Sequence, residues 1–227
     1  MAIKLVIFDW DGTLMDSAAK IVNCFNAATR DVGLPQRGAR EVRQIIGLSL
    51  HDAFTTLIPR ASRDQRNQLI ESYRAHFSTL DSTTVPLFPG VIQYLREFYK
   101  QGYLLAVASG KSRRGLQKAL NDTGTTSLFV TTRCADEAPS KPHPQMVLDI
   151  LQDTGVSPRE AIVVGDTVFD LQMAAAAKVD AVAVTYGVHD VDQLRQQQPL
   201  ACVNSFPEVY EWINRQSAPS SAEVMNC

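Results

Sequence analysis

Two hydrophobic rhythms divide this 227-residue chain. It opens with an apolar run, Ile3, Leu5, Val6, Ile7 and Phe8, which reads as a short strand buried on both faces. From 16 to about 84 the apolar positions recur at helical spacing, and no strand is expected there. Asp16 or Ser17 is the expected cap of a helix that runs to Gly33 and carries Ile21, Phe25, Ala28 and Val32 on one stripe. Ser49 with Asp52, and Ser62 with Gln65, have the spacing of capping boxes. The first leads into Leu50, Phe54 and Leu57, the second into Leu69, Tyr73, Phe77 and Leu80.

After Pro86-Leu87-Phe88-Pro89-Gly90 the rhythm changes, and helical stripes alternate with short apolar runs. Helices are expected over about 90–100, 113–123, 144–154 and 168–177. Strands are expected over 103–108, 128–131, 161–164, 180–184 and 201–203. A last helix starts at Phe206, capped by Ser205 with Glu208, and is expected to bury Trp212. Such alternation predicts an α/β fold, a Rossmann-like parallel sheet with helices on both faces. The opening strand joins that sheet, so the helical stretch is an insertion. The expected division is an α/β core over 1–15 and 86–215, a helical cap over 16–85, and a disordered tail over 216–227.

Composition narrows the setting. Lys+Arg number 22 against 24 Asp+Glu with no basic stripe, which argues against nucleic acid as a partner. The start Met-Ala-Ile-Lys lacks a signal-peptide pattern, and no apolar stretch is long enough to span a bilayer. The four cysteines, Cys24, Cys134, Cys202 and Cys227, lack metal-type spacing and suggest reduced thiols in a cytoplasmic protein. Cys134, beside acidic residues, is expected to be structural.

Ligands of open parallel sheets bind beyond the carboxyl ends of the strands. Asp9-Trp10-Asp11-Gly12-Thr13-Leu14 follows the first strand, and in an extended segment Asp9 and Asp11 point to the same side. Ser109-Gly110-Lys111-Ser112, Ser140-Lys141-Pro142-His143-Pro144 and Gly165-Asp166-Thr167-Val168-Phe169-Asp170 follow later strands. Asp9, Asp11, Asp166 and Asp170 together make an oxygen-only, strongly negative pocket, which suits Mg2+ rather than zinc. Lys141 opposes a cation and makes sense beside a bound anion; Pro142 holds its backbone extended. Ser109 and the backbone N–H groups about Gly110 can bind the same anion. Lys111, Arg113 and Arg114 read as a solvated face, with Lys111 near enough to add positive potential. Mg2+, Lys and Ser about an anion beside a carboxylate point to phosphoryl transfer, in which one carboxylate is a nucleophile and a second an acid and base.

With these residues assembled, the chain resembles the haloacid dehalogenase superfamily, and within it the phosphoglycolate-phosphatase-like branch with a helical cap after the first strand. The D-x-D-G-T-L, S-K-P-x-P and G-D-T-x-x-D patterns occur in the family's order. The resemblance implies that Asp9 is the nucleophile and Asp11 the general acid/base. It implies that Asp166, Asp9 and the backbone carbonyl of Asp11 hold Mg2+, with Asp170 supporting that shell. Ser109, Gly110 and Lys141 would bind the phosphoryl group, Lys141 also counting among the catalytic residues. Gly110 replaces the family's usual Asn, so no side-chain contact is expected there. Hinges are expected near 14–17 and 85–90, and the cap turn Ile46-Gly47-Leu48-Ser49 would face the substrate, with Gly47, Arg43 and His51 near it.

The implied function is a Mg2+-dependent phosphatase of a small phosphorylated metabolite, phosphoglycolate-like or sugar-phosphate-like. A phosphomutase of the β-phosphoglucomutase type and a non-enzymatic phospho-acceptor or binding module are the alternatives. The second Asp argues against a dehalogenase. A phosphonoacetaldehyde hydrolase would need a cap lysine, and Lys20, the only one there, is expected to be solvent-exposed. The sequence leaves the oligomeric state open.

Overall fold

A computed structural model describes residues 3–217. Its centre is a six-stranded parallel sheet: β1 (Leu5–Phe8), β2 (Leu104–Ser109), β3 (Thr131–Cys134), β4 (Ala161–Gly165), β5 (Asp180–Val184) and β6 (Ala201–Val203). The strand order is β3-β2-β1-β4-β5-β6, the doubly wound order in which the chain reverses direction across the sheet between β1 and β4. Alternate residues supply the two faces, as the strand period requires. Val6, Phe8, Leu105, Val107 and Val164 pack against α5 (Val91–Lys100), α6 (Arg113–Thr123) and α10 (Phe206–Ser217). Leu5, Ile7, Ala106, Ala108 and Val163 face α7 (Gln145–Thr154), α8 (Val168–Ala176) and α9 (Val191–Gln196).

Between β1 and the rest lies the helical insert: α1 (Ala18–Asp31), α2 (Ala39–Arg43), α3 (Leu50–Leu57) and α4 (Arg63–Ala75), the last followed by a π-turn over His76–Leu80. It has its own apolar cluster, with Phe25 stacked on Phe54 and Tyr73 against Phe54's edge. The two connections to the sheet run side by side. The Asp16 N–H donates to the Pro86 carbonyl, and the Phe88 N–H to the Leu14 carbonyl. Among the described residues no helix is long and apolar enough to cross a membrane.

Several expectations shift. The run Leu128-Phe129-Val130 is not a strand: Thr126–Leu128 forms a 3-10 turn, and the edge strand begins at Thr131. That run is apolar because Leu128 enters the core and Phe129 meets Trp10, so it marks packing rather than sheet pairing. Helices α2 and α9 were not foreseen; each buries a single residue, Val42 and Leu194, too little to show a period. Trp212 is only half-buried, the buried face of α10 being Phe206, Val209 and Ile213. Leu80 ends its stripe exposed. Gln216 and Ser217 belong to α10, and the rest of the expected tail lies outside the described residues.

Candidate active site

The carboxyl ends of β1 and β4 meet at the reversal of strand order, where open sheets hold ligands. Asp9, whose N–H donates to the Val164 carbonyl, extends β1 beside Asp166 at the end of β4. Lys141, on the loop before α7, is buried and bridges two carboxylates: its ammonium lies 2.5 Å from Asp9 Oδ1 and 2.6 Å from Asp170 Oδ1. The Lys141–Pro142 peptide is cis. The other oxygen of Asp170 accepts from the hydroxyl and N–H of Thr167, at 2.7 and 3.1 Å. Thr167 is the N-cap of α8.

That leaves Asp166 to face the cluster. Its Oδ1 accepts from Thr13 Oγ1 at 2.9 Å, and its Oδ2 from the Val188 N–H at 2.8 Å. The chain can come this close because Gly12, at φ +93°, has no Cβ; one there would collide with the Asp166 carboxylate. Asp9, Asp166 and Asp170 offer carboxylate oxygens within 4.8 Å of one another. Asp9 Oδ2 alone among the described buried side-chain polar atoms has no hydrogen-bond partner. This all-oxygen set with an orphaned acceptor fits a hard divalent cation.

Burial dominates the electrostatics. It pushes the Asp9 carboxyl up to about 7 despite Lys141, and raises Asp166 well above its ordinary value with the help of Asp9 and Asp170. Burial alone would lower Lys141; Asp170 and Asp9 more than offset it, so the ammonium stays charged.

Asp11 lies apart from this cluster. Its Oδ1 accepts from Ser17 Oγ at 2.6 Å and lies 2.9 Å from the Lys111 ammonium. Ser17 sits at the N-cap of α1 yet makes no capping bond, its hydroxyl being committed to Asp11. Lys111 is not on a solvated face, and its side chain is only 11% exposed. Arg113 is bound by Thr132 and Glu137. Ser109 is buried at the end of β2, and the cap of α6 is Ser112. Cys134 is buried and its thiol is pushed up to about 12, chiefly by desolvation.

The insert closes over this edge. A Cβ at Gly110 would lie 2.5 Å from the Gly47 carbonyl and 2.6 Å from that of Leu48, so the turn rests directly on the glycine. The Ser49 N–H donates to Ser140 Oγ at 2.8 Å. The core loop after β5 reaches back: Val188 packs in the insert's apolar cluster, and the His189 ring lies between the Val168 N–H and the Gln44 carbonyl. Burial lowers the His189 pKa, which keeps the ring neutral. Of the expected cap residues, Gly47 is in the seam. Arg43 and His51 are exposed; Arg43 makes no side-chain ion pair or hydrogen bond among the described residues, and His51 meets only Asp52. Lys20 is half-buried rather than solvent-exposed, its ammonium bonded to the Asp81 carbonyl. Ser17, Lys111, Ser140, Val188 and His189 complete the site without a motif that announces them, except Ser140, which begins the S-K-P pattern.

A doubly wound sheet with this acid-and-lysine edge and a helical insert after β1 defines a class, and sequence comparison names it. The chain belongs to the haloacid dehalogenase-like hydrolases, whose family model matches residues 6–184. It is 37% identical over 227 residues to "Probable phosphatase IndB" of Dickeya dadantii (strain 3937), covering 98% of this chain and 99% of that one. It is 28% identical over 212 residues to the phosphoglycolate phosphatase of Nitrosococcus oceani, covering 91% and 94%. The solved structure of a haloacid dehalogenase-like family hydrolase from Streptococcus pneumoniae matches with a TM-score of 0.80 at 27% identity, over 92% of this chain and 98% of that one.

Proposed function

We propose that this protein is a Mg2+-dependent phosphatase of a small phosphorylated metabolite that works through an aspartyl-phosphate on Asp9. The observation that carries the reading is the Asp9 carboxylate: one oxygen is held by Lys141, and the other is buried without a partner at the strand-order reversal. The names of the phosphatase relatives support the same class of substrate.

Asp9, Asp166 and the backbone carbonyl of Asp11 would hold the cation, with Asp170 behind them. Bound there, it would offset the charge of the phosphoryl oxygens and the acid cluster. Lys141, Ser109 and the N–H groups about Gly110 bind the phosphoryl oxygens. The Asp9 carboxylate attacks phosphorus, a new O–P bond forms, and the bond to the leaving oxygen breaks. Asp11 gives that oxygen its proton. In the second half, water attacks the aspartyl-phosphate, Asp11 takes the water's proton, and Asp9 is released with inorganic phosphate. Residues 16–85 act as the cap, hinged where 14–16 runs beside 86–88, and its closure keeps bulk water from the intermediate. The unpaired cysteines Cys24, Cys134 and Cys202 support a reducing, cytoplasmic setting.

Phosphate release from a panel of phosphorylated metabolites, with Mg2+ and with chelator, tests the reading. Release that requires the metal is expected. Transfer of phosphate to a sugar hydroxyl without release would replace it with a mutase.

A further inference from the structure

The segment that follows β5, Tyr186-Gly187-Val188-His189, faces two ways. On the core side it presses on Asp166. The Val188 N–H donates to Asp166 Oδ2 at 2.8 Å. A Cβ at Gly187 would lie 2.2 Å from both the Cβ and Oδ2 of Asp166, so only a glycine lets the backbone come this near. The other oxygen is reached through Thr13, whose hydroxyl donates to Asp166 Oδ1 at 2.9 Å and whose carbonyl accepts from the Tyr186 hydroxyl at 2.8 Å. Both carboxylate oxygens are therefore aimed by this one segment, one directly and one through Thr13. On its other side the segment meets the insert. The Val188 side chain is 8% exposed and packs in an apolar cluster whose other described members, from Ala18 to Phe77, all belong to the insert. The His189 ring lies 3.3 Å from the Gln44 carbonyl, and its other nitrogen lies 3.2 Å from the Val168 N at the start of α8.

Aiming Asp166 does not require this second face. A core loop with a polar residue at 188 could offer the same N–H to the carboxylate. Here the residue that offers it buries its side chain in the insert, the body that parts from the core in the proposed cycle. With the insert seated, Val188 is clamped and its N–H stays on Asp166. With the insert parted, its side chain loses its apolar cover and the segment loses its anchor. The seated and parted insert are thus two arrangements through which one end of the segment can be felt at the other. We propose that residues 186–189 are a positioning segment that couples seating of the insert to the aim of the Asp166 carboxylate, so that a divalent cation at Asp166 and a seated insert favour one another. The inference rests on the reading of Asp166 as a cation ligand. Linkage makes the effect reciprocal: the factor that the seated insert adds to cation affinity, the cation adds to seating. The cation is then held most firmly while bulk water is shut out.

The test measures Mg2+ binding by calorimetry, and hydrogen exchange over 42–49 in chelator and at saturating Mg2+. It uses the full-length wild type, Val188→Ala, Val188→Thr and Gly110→Asn. Val188→Ala keeps the N–H that reaches Asp166 and trims only the side chain in the insert. Val188→Thr keeps the shape and puts a hydroxyl into the same apolar cluster, a milder form of the same cut. Gly110→Asn acts on the insert from elsewhere, at the Gly47 and Leu48 carbonyls. Val188→Ala and Gly110→Asn are each expected to raise the Mg2+ Kd about fivefold or more, the low end of typical couplings, and Val188→Thr to act in the same direction. Mg2+ is expected to slow exchange over 42–49 in the wild type, and to slow it less in the Val188 variants. A Kd unchanged in the Val188 variants would overturn the segment's role. A Kd raised in them but not in Gly110→Asn would make the segment a plain tether of Asp166 and overturn the coupling, as would wild-type exchange over 42–49 that ignores Mg2+. A wild type that bound no Mg2+ would instead overturn the reading of Asp166 as a cation ligand, and this inference with it.

Discussion

At the sheet edge, Asp9, Asp166, Asp170 and Lys141 are buried, and short bonds tie Lys141 to Asp9 and Asp170, Asp170 to Thr167, and Asp166 to Thr13. Across the seam, by contrast, the insert meets the core through scattered contacts, among them Ser49 on Ser140, Gln44 at His189 and Gln193, Arg40 near Asp190, two carbonyls on Gly110, and Val188 among apolar side chains. The first region fixes its side chains many times over, and the second can part at the cost of a few hydrogen bonds, each worth about 1 kcal/mol, with the exposed Arg40–Asp190 pair and the contact of Lys111 with the Phe77 ring. Chemistry that needs fixed geometry sits on strand ends, and the parts that must admit substrate sit where contacts are few. Val188 links the two, since its N–H holds Asp166 while its side chain packs in the insert.

Removing the bridging lysine attacks the first region most directly. Lys141→Met leaves Asp9 and Asp170 buried without their cation. Phosphatase activity is expected to fall about a hundred- to a thousandfold, and denaturant unfolding to show a loss of roughly 3 kcal/mol. A variant that kept both activity and stability would mean that the lysine is incidental to the cluster.

The seam is probed at Gly110. Gly110→Asn drives a side chain into the Gly47 and Leu48 carbonyls. The expected result is an insert held away from the core, with KM raised roughly tenfold and stability of the sheet domain nearly intact, since overpacking here costs about 1–3 kcal/mol and relief lies in opening the seam. Unchanged kinetics would show that the seam does not close this far in catalysis.

A subtler contrast is one of stability against pH. The native Asp9 carboxyl is raised by burial from 3.8 to about 7. Between those values the folded chain binds more protons than the unfolded one, so this group makes stability fall as pH rises through that window. In chelator at pH 8, Asp9→Asn is therefore expected to melt a few degrees above the wild type, about 2–4 °C for each kcal/mol gained, and to show a flatter pH dependence. Mg2+ should raise the wild type more than the variant. A lower melting temperature for Asp9→Asn in chelator would count against this cost of burying the charged carboxylate.

What the sequence revealed follows the same line. The meeting of Asp9, Lys141, Asp166 and Asp170 was legible because each lies in the segment that follows β1, β3 or β4, along the edge where parallel sheets hold ligands, whereas Asp11, expected beside them, lies apart. The parallel sheet and the helical insert were legible from the change of rhythm at Pro86–Gly90. Ser17, Lys111, Val188 and His189 were not, because their roles depend on segments far apart in the chain meeting across the seam. Ser17 reads as a helix cap, and Lys111 as part of a solvated face near enough to add positive potential, not as the partner of Asp11. The edge strand was misplaced because Leu128 and Phe129 are apolar for packing, whereas the true strand, Thr131–Cys134, is mostly polar.

In the proposed mechanism Asp9 carries the phosphoryl group. The most direct test is an acid quench of the Mg2+-loaded wild type during turnover of its best substrate, followed by peptide mass analysis. A peptide spanning Asp9 and heavier by one phosphoryl group is expected, absent from Asp9→Asn and lost on mild alkaline treatment, as an acyl phosphate should be. Turnover with no modified Asp9 peptide, or with the group on another residue, would contradict it.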